Sequence, residues 1–571
     1  MDYLVFRGGL PWLSLLIFLP LLGAALAAIW PEGRDGRAQK WGTFLLSLAP
    51  LGIAIFVAVQ YYGRIATQGG ALPGEPNQQT YDFVEQLRWI SVLGAEYKLG
   101  VDGISLPLAL LTTLITSLSI LASFNLRERP AYFFALILLM ETSILGVFLS
   151  LNFFLFFIFW EVSLIPGFFL ISSWGREPES RRYAAFKFFV YTMAGSVGML
   201  LAFEFFYLAT RAAGRGTFDF VELTRLAQGL PVADLQGNLS DIVYRFMQQL
   251  GVVNVLGGSP NFYMGALFLG TFVALAVKLA VWPFHTWLPD AYSEAPTSAS
   301  MMIAGVLTKM GAFAMLRLMM PIFPLQMQQA AGVLGFFAFM SIIVGAWVAY
   351  NIGRVPATIG ARREAKLNDL KRLISYLSIN HMGYVMLAIA AAGATAASGD
   401  VNSRAIAING AVMQMFAHGL STSALFFLAG SLAERTGSYN LNSFGGLRMI
   451  VPVMAALMGV AMFANLGLPG LAGFVGEFFI FRGTWATLPL WTILSMLGLV
   501  ISALALLLMY QRIFSGPVNE RLRGLPDLNR REWGVLAPLL ALLIILGVYP
   551  LPLMTIANQT ALALVRFFAG A

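Results

Sequence analysis

The stretch "FVALAVKLAVWPFHTWLPD", residues 272–290, sets a lysine inside an apolar run and follows it with a proline and a histidine. The apolar character reads as a membrane helix. Pro283 removes a helix hydrogen bond and so predicts a break within it. Lys278 then lies close to the bilayer centre, where an ammonium costs roughly 2.5–3.5 kcal/mol on insertion scales. A helix of this kind needs an acidic partner from elsewhere in the fold, so the stretch points to a bundle with a charged interior.

Composition supports that reading along the whole chain. Of 571 residues, 58% are hydrophobic and only 11% charged, which excludes a soluble domain. Apolar runs long enough to cross about 30 Å of hydrocarbon recur throughout. They lack the period-two alternation of a membrane barrel, which leaves a helix bundle as the closed solution. There is no cysteine, which excludes disulfides, thiolate-held iron–sulfur clusters and a thiol nucleophile. The net charge of +8 resides in short loops and reads as a topology signal, with no nucleic acid implied.

The predicted fold is an all-α polytopic membrane protein of about fourteen transmembrane helices. The spans fall near 11–30, 40–62, 101–124, 131–150, 152–173, 183–210, 262–288, 297–320, 327–350, 368–393, 404–433, 450–481, 486–511 and 533–555. "LPWLSLLIFLPLLGAALAAI" is too long for a signal peptide and reads as a retained first helix. Most lysine and arginine outside the spans lies in the loops at 31–40, 174–182, 351–372 and 512–532. The weight rests on Arg362, Arg363, Lys366, Lys371 and Arg372, with Arg521, Arg523, Arg530 and Arg531. The positive-inside rule then puts both termini on the non-cytoplasmic side of the cell inner (plasma) membrane. Spans seven and twelve are broken alike, around Pro283 and Pro469, which predicts two inverted repeats of spans 4–8 and 9–13. The expected division is 1–130, three helices with an outer loop; 131–320, the first half with an outer insert at 211–261; 321–515, the second half; and 516–571, the last helix and C-terminus.

The ionisable residues inside the spans are few. They are Glu141, Glu161, Lys187, Lys278, His285, Lys309, His381, His418 and Glu477. Acids and bases alternate in helix order, so that opposite charges within reach keep each other ionised. Such a row suits proton movement, because separating a buried lysine from its carboxylate changes its proton affinity, and histidine titrates near neutrality. The plainer readings are a structural ion pair for Glu161 and Lys278, snorkelling for Lys187 and helix-end anchoring for Arg317. His381 and His418 as haem ligands is a further alternative.

Five stretches together resemble one family. They are "KLGVDGISLPLALLTTLI", "FFIFWEVSLIPGFFLISSWG", "AVKLAVWPFHTWLPDAYSEAPTSASMMIAGVLTKMGAF", "AHGLSTSALFFLAGSL" and "LGLPGLAGFVGEFF". They are similar to the antiporter-like membrane subunits of proton-translocating NADH–quinone oxidoreductase, respiratory complex I, of the chain M type. The resemblance covers nearly all of 95–515. It implies a proton-pumping, antiporter-like subunit of the membrane arm, a translocase without a redox centre of its own. Glu161 and Lys278 match the family's ion pair, Lys309 and His285 its connecting relay, His381 and His418 its later histidines, and Glu477 its terminal acid. An acid at that last position, and a chain that stops soon after span fourteen, favour chain M over chains L and N.

The partners so implied are L- and N-type neighbours, the lipid bilayer and protons. NADH, flavin, iron–sulfur clusters and quinone would belong to the wider complex, with no cofactor on this chain, where no Gly-rich dinucleotide turn follows a strand. The insert at 211–261 departs from the usual pattern. In it Asp219 reads as a helix cap and 239–253 as an amphipathic helix. Two rivals share the expected fold: a subunit of a multi-subunit cation/proton antiporter, and a ferredoxin- or hydrogenase-linked relative of complex I.

Overall fold

The computed structural model describes residues 5–6, 9–30, 36–67, 81–90, 94–232, 234–354, 368–394 and 401–569. Arg362, Arg363 and Lys366, which carry part of the topology argument, lie outside the described residues. The helices, in chain order, are α1 (Trp12–Ile29), α2 (Arg37–Thr67), α3 (Ser105–Ala122), α4 (Pro130–Leu149), α5 (Phe153–Val162), α6 (Leu164–Trp174) and α7 (Pro178–Ala212). The insert supplies α8 (Phe220–Ala227), α9 (Leu239–Gln249) and α10 (Val252–Leu256). There follow α11 (Pro260–Leu279), α12 (Trp287–Glu294), α13 (Thr297–Ile322), α14 (Pro324–Arg354), α15 (Leu370–Gly393) and α16 (Val401–Thr436). The last five are α17 (Pro452–Asn465), α18 (Ala472–Trp485), α19 (Pro489–Phe514), α20 (Arg530–Val548) and α21 (Leu551–Ala569).

Among the described residues, 13 helices are long and apolar enough to cross a bilayer. The segment expected at 450–481 is divided into α17 and α18, of 14 residues each. The helical class stands, with one correction: the chain is not purely α. Strands β1 (Val5–Phe6), β2 (Asp82–Ile90) and β3 (Ala95–Val101) form an antiparallel sheet in the order β1-β2-β3. Its Glu85 accepts from Leu13 N at 2.7 Å and Ser14 N at 3.1 Å, satisfying two of the free amides that begin α1. Tail and sheet are therefore held by a helix cap. The last expected span, 533–555, ends instead at Val548, and a separate helix, α21, starts beyond Pro550.

Proline opens several spans. Pro130, Pro178, Pro260, Pro452 and Pro489 occupy first-turn positions, where the missing N–H costs nothing. Inside the insert, Asp219 caps α8 through Val221 N at 2.7 Å, as its spacing suggests. Both expected breaks are present. α11 stops at Ala280, which has φ +60°, and α12 begins seven residues later, at Trp287. The freed backbone is satisfied locally: Trp287 Nε1 donates to Val277 O at 2.9 Å, and Trp282 N to Ser341 Oγ at 2.9 Å. The second break, between α17 and α18, turns at Gly467 (φ +75°) and Gly470 (φ +91°), conformations open to glycine. Two departures were not expected. Ser163 interrupts the fifth span, and α13 contains two π stretches, Ile303–Leu307 and Met315–Met319.

The helices are not equivalent. α13 and α16 are buried on all sides and α15 nearly so, whereas α1, α2, α7 and α19 turn large apolar side chains outward to lipid. The described parts of the basic segments gather at one end of the bundle, joined by Arg176–Asp369 at 2.5 Å, Arg372–Asp290 at 3.0 Å and Arg435–Glu532 at 2.6 Å. The sheet and the insert lie at the other end, joined by the Lys98–Asp219 ion pair.

At that same end Arg317, read from sequence as a helix-end anchor, is buried. It pairs with Asp102 at 2.8 Å and donates to the Tyr81 hydroxyl at 2.7 Å. Asp102 also accepts from Ile104 N and Ser105 N at the start of α3. Removing one partner of such a pair strands the other charge. Arg317→Met should therefore destabilise the chain by about 3–5 kcal/mol, while Arg317→Met with Asp102→Asn should recover most of that loss. Unfolding of the purified chain in detergent, run as a double-mutant cycle, checks this. A double-variant loss equal to the sum of the two single losses would show that the pair is not a coupled unit.

Candidate buried ionisable row

The three most buried helices, α13, α15 and α16, carry three of the nine ionisable residues singled out by sequence. Lys309 lies in α13 between the two π stretches, and His381 and His418 lie mid-helix on α15 and α16. Lys309 is fully buried; its Nζ donates to Ala304 O at 2.5 Å and lies 2.8 Å from His418 Nδ1. Ala304 belongs to the first π stretch, so the widened turn presents a carbonyl to the lysine of its own helix. The His418 and His381 rings are 5.3 Å apart, centre to centre. His381 Nδ1 lies 3.4 Å from Glu477 Oε1, at the start of α18 just after the second break. Four residues from four helices thus line up as one row through an apolar interior, with close polar contacts at its two ends and no hydrogen bond between the two imidazoles.

The first half is arranged differently. Lys278, in the last turn of α11, is buried and donates to Ser163 Oγ at 3.0 Å, with its ammonium 5.0 Å from the Trp160 ring. Glu161 accepts a hydrogen bond from Ser196 Oγ on α7. No nitrogen–oxygen approach within 4.0 Å joins Lys278 to Glu161. The close ion pair expected from sequence is held apart, because each charge has a serine hydroxyl of its own. Ser163 can reach Lys278 because it stands at the interruption between α5 and α6.

The remaining three expected residues stand outside these contacts. Lys187 is half-buried near the basic end, donating to Asp290 Oδ2 at 2.7 Å and to Thr286 O at 2.8 Å. His285 lies in the break between α11 and α12, its Nδ1 buried without a hydrogen-bond partner and its ring 6.4 Å from that of Tyr376. Glu141 is fully buried on α4 with neither carboxyl oxygen hydrogen-bonded. Asp290, the partner of Lys187, lines a cleft of about 470 Å³ at the basic end, with Arg176, Tyr183, Glu294, Asp369 and Arg372.

Sequence reading passed over several participants. Ser163, Ser196 and Gln414 are polar but uncharged and common in spans. Gln414 had one available signal, its place four residues before His418 on the same face of α16. Lys371, counted from sequence as a loop charge, is buried and donates to Ala295 O at 2.5 Å. Among the described residues no three His, Asp or Glu side chains gather as a metal site.

Comparison with known proteins gives this geometry a context. The family described as NADH:quinone oxidoreductase/Mrp antiporter, transmembrane, matches residues 150–504. The chain is 34% identical to NADH-quinone oxidoreductase subunit M of Mycobacterium tuberculosis, over 96% of this chain and 93% of that one. It is 33% identical to the subunit M of Escherichia coli, over 96% of each, and 33% identical to F(420)H(2) dehydrogenase subunit M of Methanosarcina mazei, over 98% and 99%. Its fold resembles a chain of respiratory complex I from Thermus thermophilus, with a TM-score of 0.77, 26% identity and coverage of 97% and 99%. A chain of the Mrp complex from Dietzia shares the fold, with a TM-score of 0.73, 19% identity and coverage of 98% and 99%.

Glu141 offers a direct test of whether the buried row is kept for stability. A carboxyl with both oxygens unpaired weakens its surroundings, so Glu141→Met, similar in size and without polar atoms, should stabilise the chain by about 1–3 kcal/mol. Thermal unfolding in detergent measures the change. A loss of stability would mean that the carboxyl has a stabilising partner.

Proposed function

This chain belongs to the NADH:quinone oxidoreductase/Mrp antiporter transmembrane family, and we propose that it moves protons across the membrane as the M-type subunit of a complex I membrane arm. The observation that carries the reading is the row Lys309–His418–His381–Glu477, three of whose four members lie on the most buried helices, with close polar contacts at both ends and the two imidazoles 5.3 Å apart between them. Buried ionisable groups in a membrane are costly and mark ion pathways by default. Here they are also in sequence, each within reach of the next.

In this reading Glu161 and Lys278 form the switch of the first half. The Ser196 and Ser163 hydroxyls stabilise the separated state. Bringing opposite charges to about 4 Å at an effective dielectric near ~20 is worth about 4 kcal/mol, and half of that at twice the distance. Closing the pair holds the proton on Lys278; opening it releases the proton towards Lys309. Glu141 and Lys187 belong to the first half and stand apart from the row's contacts, and His285 lies in the break between α11 and α12. Spans 4–8 and 9–13 serve as the two inverted-repeat halves, each with its broken helix facing the row.

Electron carriers and quinone lie on other subunits, with L- and N-type neighbours on either side. The driving energy arrives from them by electrostatic or conformational coupling. The membrane is the plasma membrane, and the basic end faces the cytoplasm. A tag at either terminus should therefore be accessible only from outside, and one at 362–366 only from inside; a terminus labelled from the cytoplasm reverses the orientation.

The switch is tested by proton uptake per electron in vesicles containing the assembled complex. Lys278→Met and Glu161→Gln should each lower the ratio and slow coupled quinone reduction by about tenfold or more without loss of assembly. Lys278→Arg should restore little, since guanidinium does not release its proton. A normal ratio in assembled Lys278→Met makes Lys278 a structural charge and removes the switch.

A further inference from the structure

Gln414 stands where the row meets its terminal acid. Its Nε2 lies 3.1 Å from His381 Nδ1 and 3.5 Å from Glu477 Oε1, and its Oε1 is buried with no partner. The same His381 Nδ1 is 3.4 Å from Glu477 Oε1, while His381 Nε2 and His418 Nε2 are buried and unpartnered. Both the amide and the carboxylate therefore compete for one ring nitrogen. α18 approaches α16 closely here: a Cβ on Gly476 would lie 2.5 Å from Gln414 Oε1, so the glycine leaves space around the amide. The titratable groups around this point are His381 and Tyr384 on α15, His418 on α16, Lys309 on α13 and Glu477 on α18.

We infer that Gln414 is a positioning residue which, by turning its amide, sets the tautomer of His381 and so closes or opens the step to Glu477. The inference rests on the proton-moving reading of the row. With Nε2 of Gln414 donating, His381 Nδ1 is an acceptor and the ring proton sits on Nε2. That nitrogen cannot take a proton from the His418 side, and the step is closed. With the amide turned, Oε1 holds a proton on Nδ1 and leaves Nε2 bare. A proton arriving from the His418 side then forms an N–H bond at Nε2. The Nδ1–H bond breaks, and an O–H bond forms at Glu477 Oε1. His381 is left neutral with its proton on Nε2, and the amide's return closes the step again. The next transfer needs the Nε2 proton to leave and Nδ1 to be protonated again; the amide's orientation selects which of the two tautomers is held and carries no proton itself.

The three histidines of the chain make the tautomer measurable. In the full chain, isotope-labelled at histidine and reconstituted in lipid, nitrogen NMR should place the His381 proton on Nε2. Gln414→Glu, which at that position can only accept while ionised, should move it to Nδ1, and Gln414→Leu should leave a mixture. An unchanged tautomer in both variants overturns the proposal. In vesicles containing the assembled complex, Gln414→Leu should lower protons moved per electron by about tenfold and shift the pH profile of coupled turnover. An altered tautomer with a normal ratio and profile also overturns it. Glu477→Gln separates the two levels of the argument. If that variant fails to pump while Gln414→Leu pumps normally, only the role of Gln414 falls. If Glu477→Gln itself pumps normally, the row does not end at this acid and both readings fall.

Discussion

The contact between Lys309 and His418 sets the terms for the centre of this molecule. A lysine with no exposure, deep in a bundle surrounded by lipid, can be hydrated by nothing except protein. Its three donors find one carbonyl, Ala304 O, and one imidazole nitrogen. The carbonyl is in reach because α13 widens into a π stretch, and the imidazole because α16 is packed directly against that stretch. The same requirement keeps α13, α15 and α16 away from lipid, since a polar row on a peripheral helix would face hydrocarbon. The architecture of long lipid-facing helices around a buried trio follows from protecting that row.

Irregular backbone in the chain serves the same end. The interruption at Ser163 points a hydroxyl at Lys278, the break after Ala280 contains His285, and the break before Ala472 lets α18 begin beside Glu477. Each departure would expose backbone polar groups if it stood in lipid. Each instead lies where indole, serine or neighbouring carbonyl groups can satisfy what the helix gives up. Regular helix builds the wall and irregular helix builds the site.

Much of this was legible in sequence because membrane interiors make charge conspicuous. Lys278, Lys309, His381, His418, Glu141 and Glu477 stood out as ionisable residues within apolar runs, and all are buried. Pro283 and the Pro469 turn marked both breaks. What was hidden depended on partners distant in sequence or on residues with no anomaly of their own. Arg317 looked like a helix-end anchor because its partner, Asp102, sits at the start of another span. The sheet escaped because β1 has only two residues, and because Glu85 caps a helix 72 residues earlier. Ser163, Ser196 and Gln414 are ordinary in a span, and only the tertiary fold shows which ion each one serves.

The contrast between the halves carries one more consequence. In the first half opposite charges are held apart by hydroxyls; in the second, neighbours touch in series. The two regions meet where α13 packs on α11, at Gly311, whose missing Cβ would lie 2.9 Å from Leu275 O and 2.7 Å from Leu279 N. Gly311 is two residues beyond Lys309, and Leu279 directly follows Lys278, so two buried ammonium groups sit on helices in backbone contact. Among the described residues, the Lys278–Ser163 contact and the Lys309–His418 contact are therefore joined by packed helix backbone and by no chain of hydrogen bonds, so any influence of the first half on the second has to pass through that helix contact.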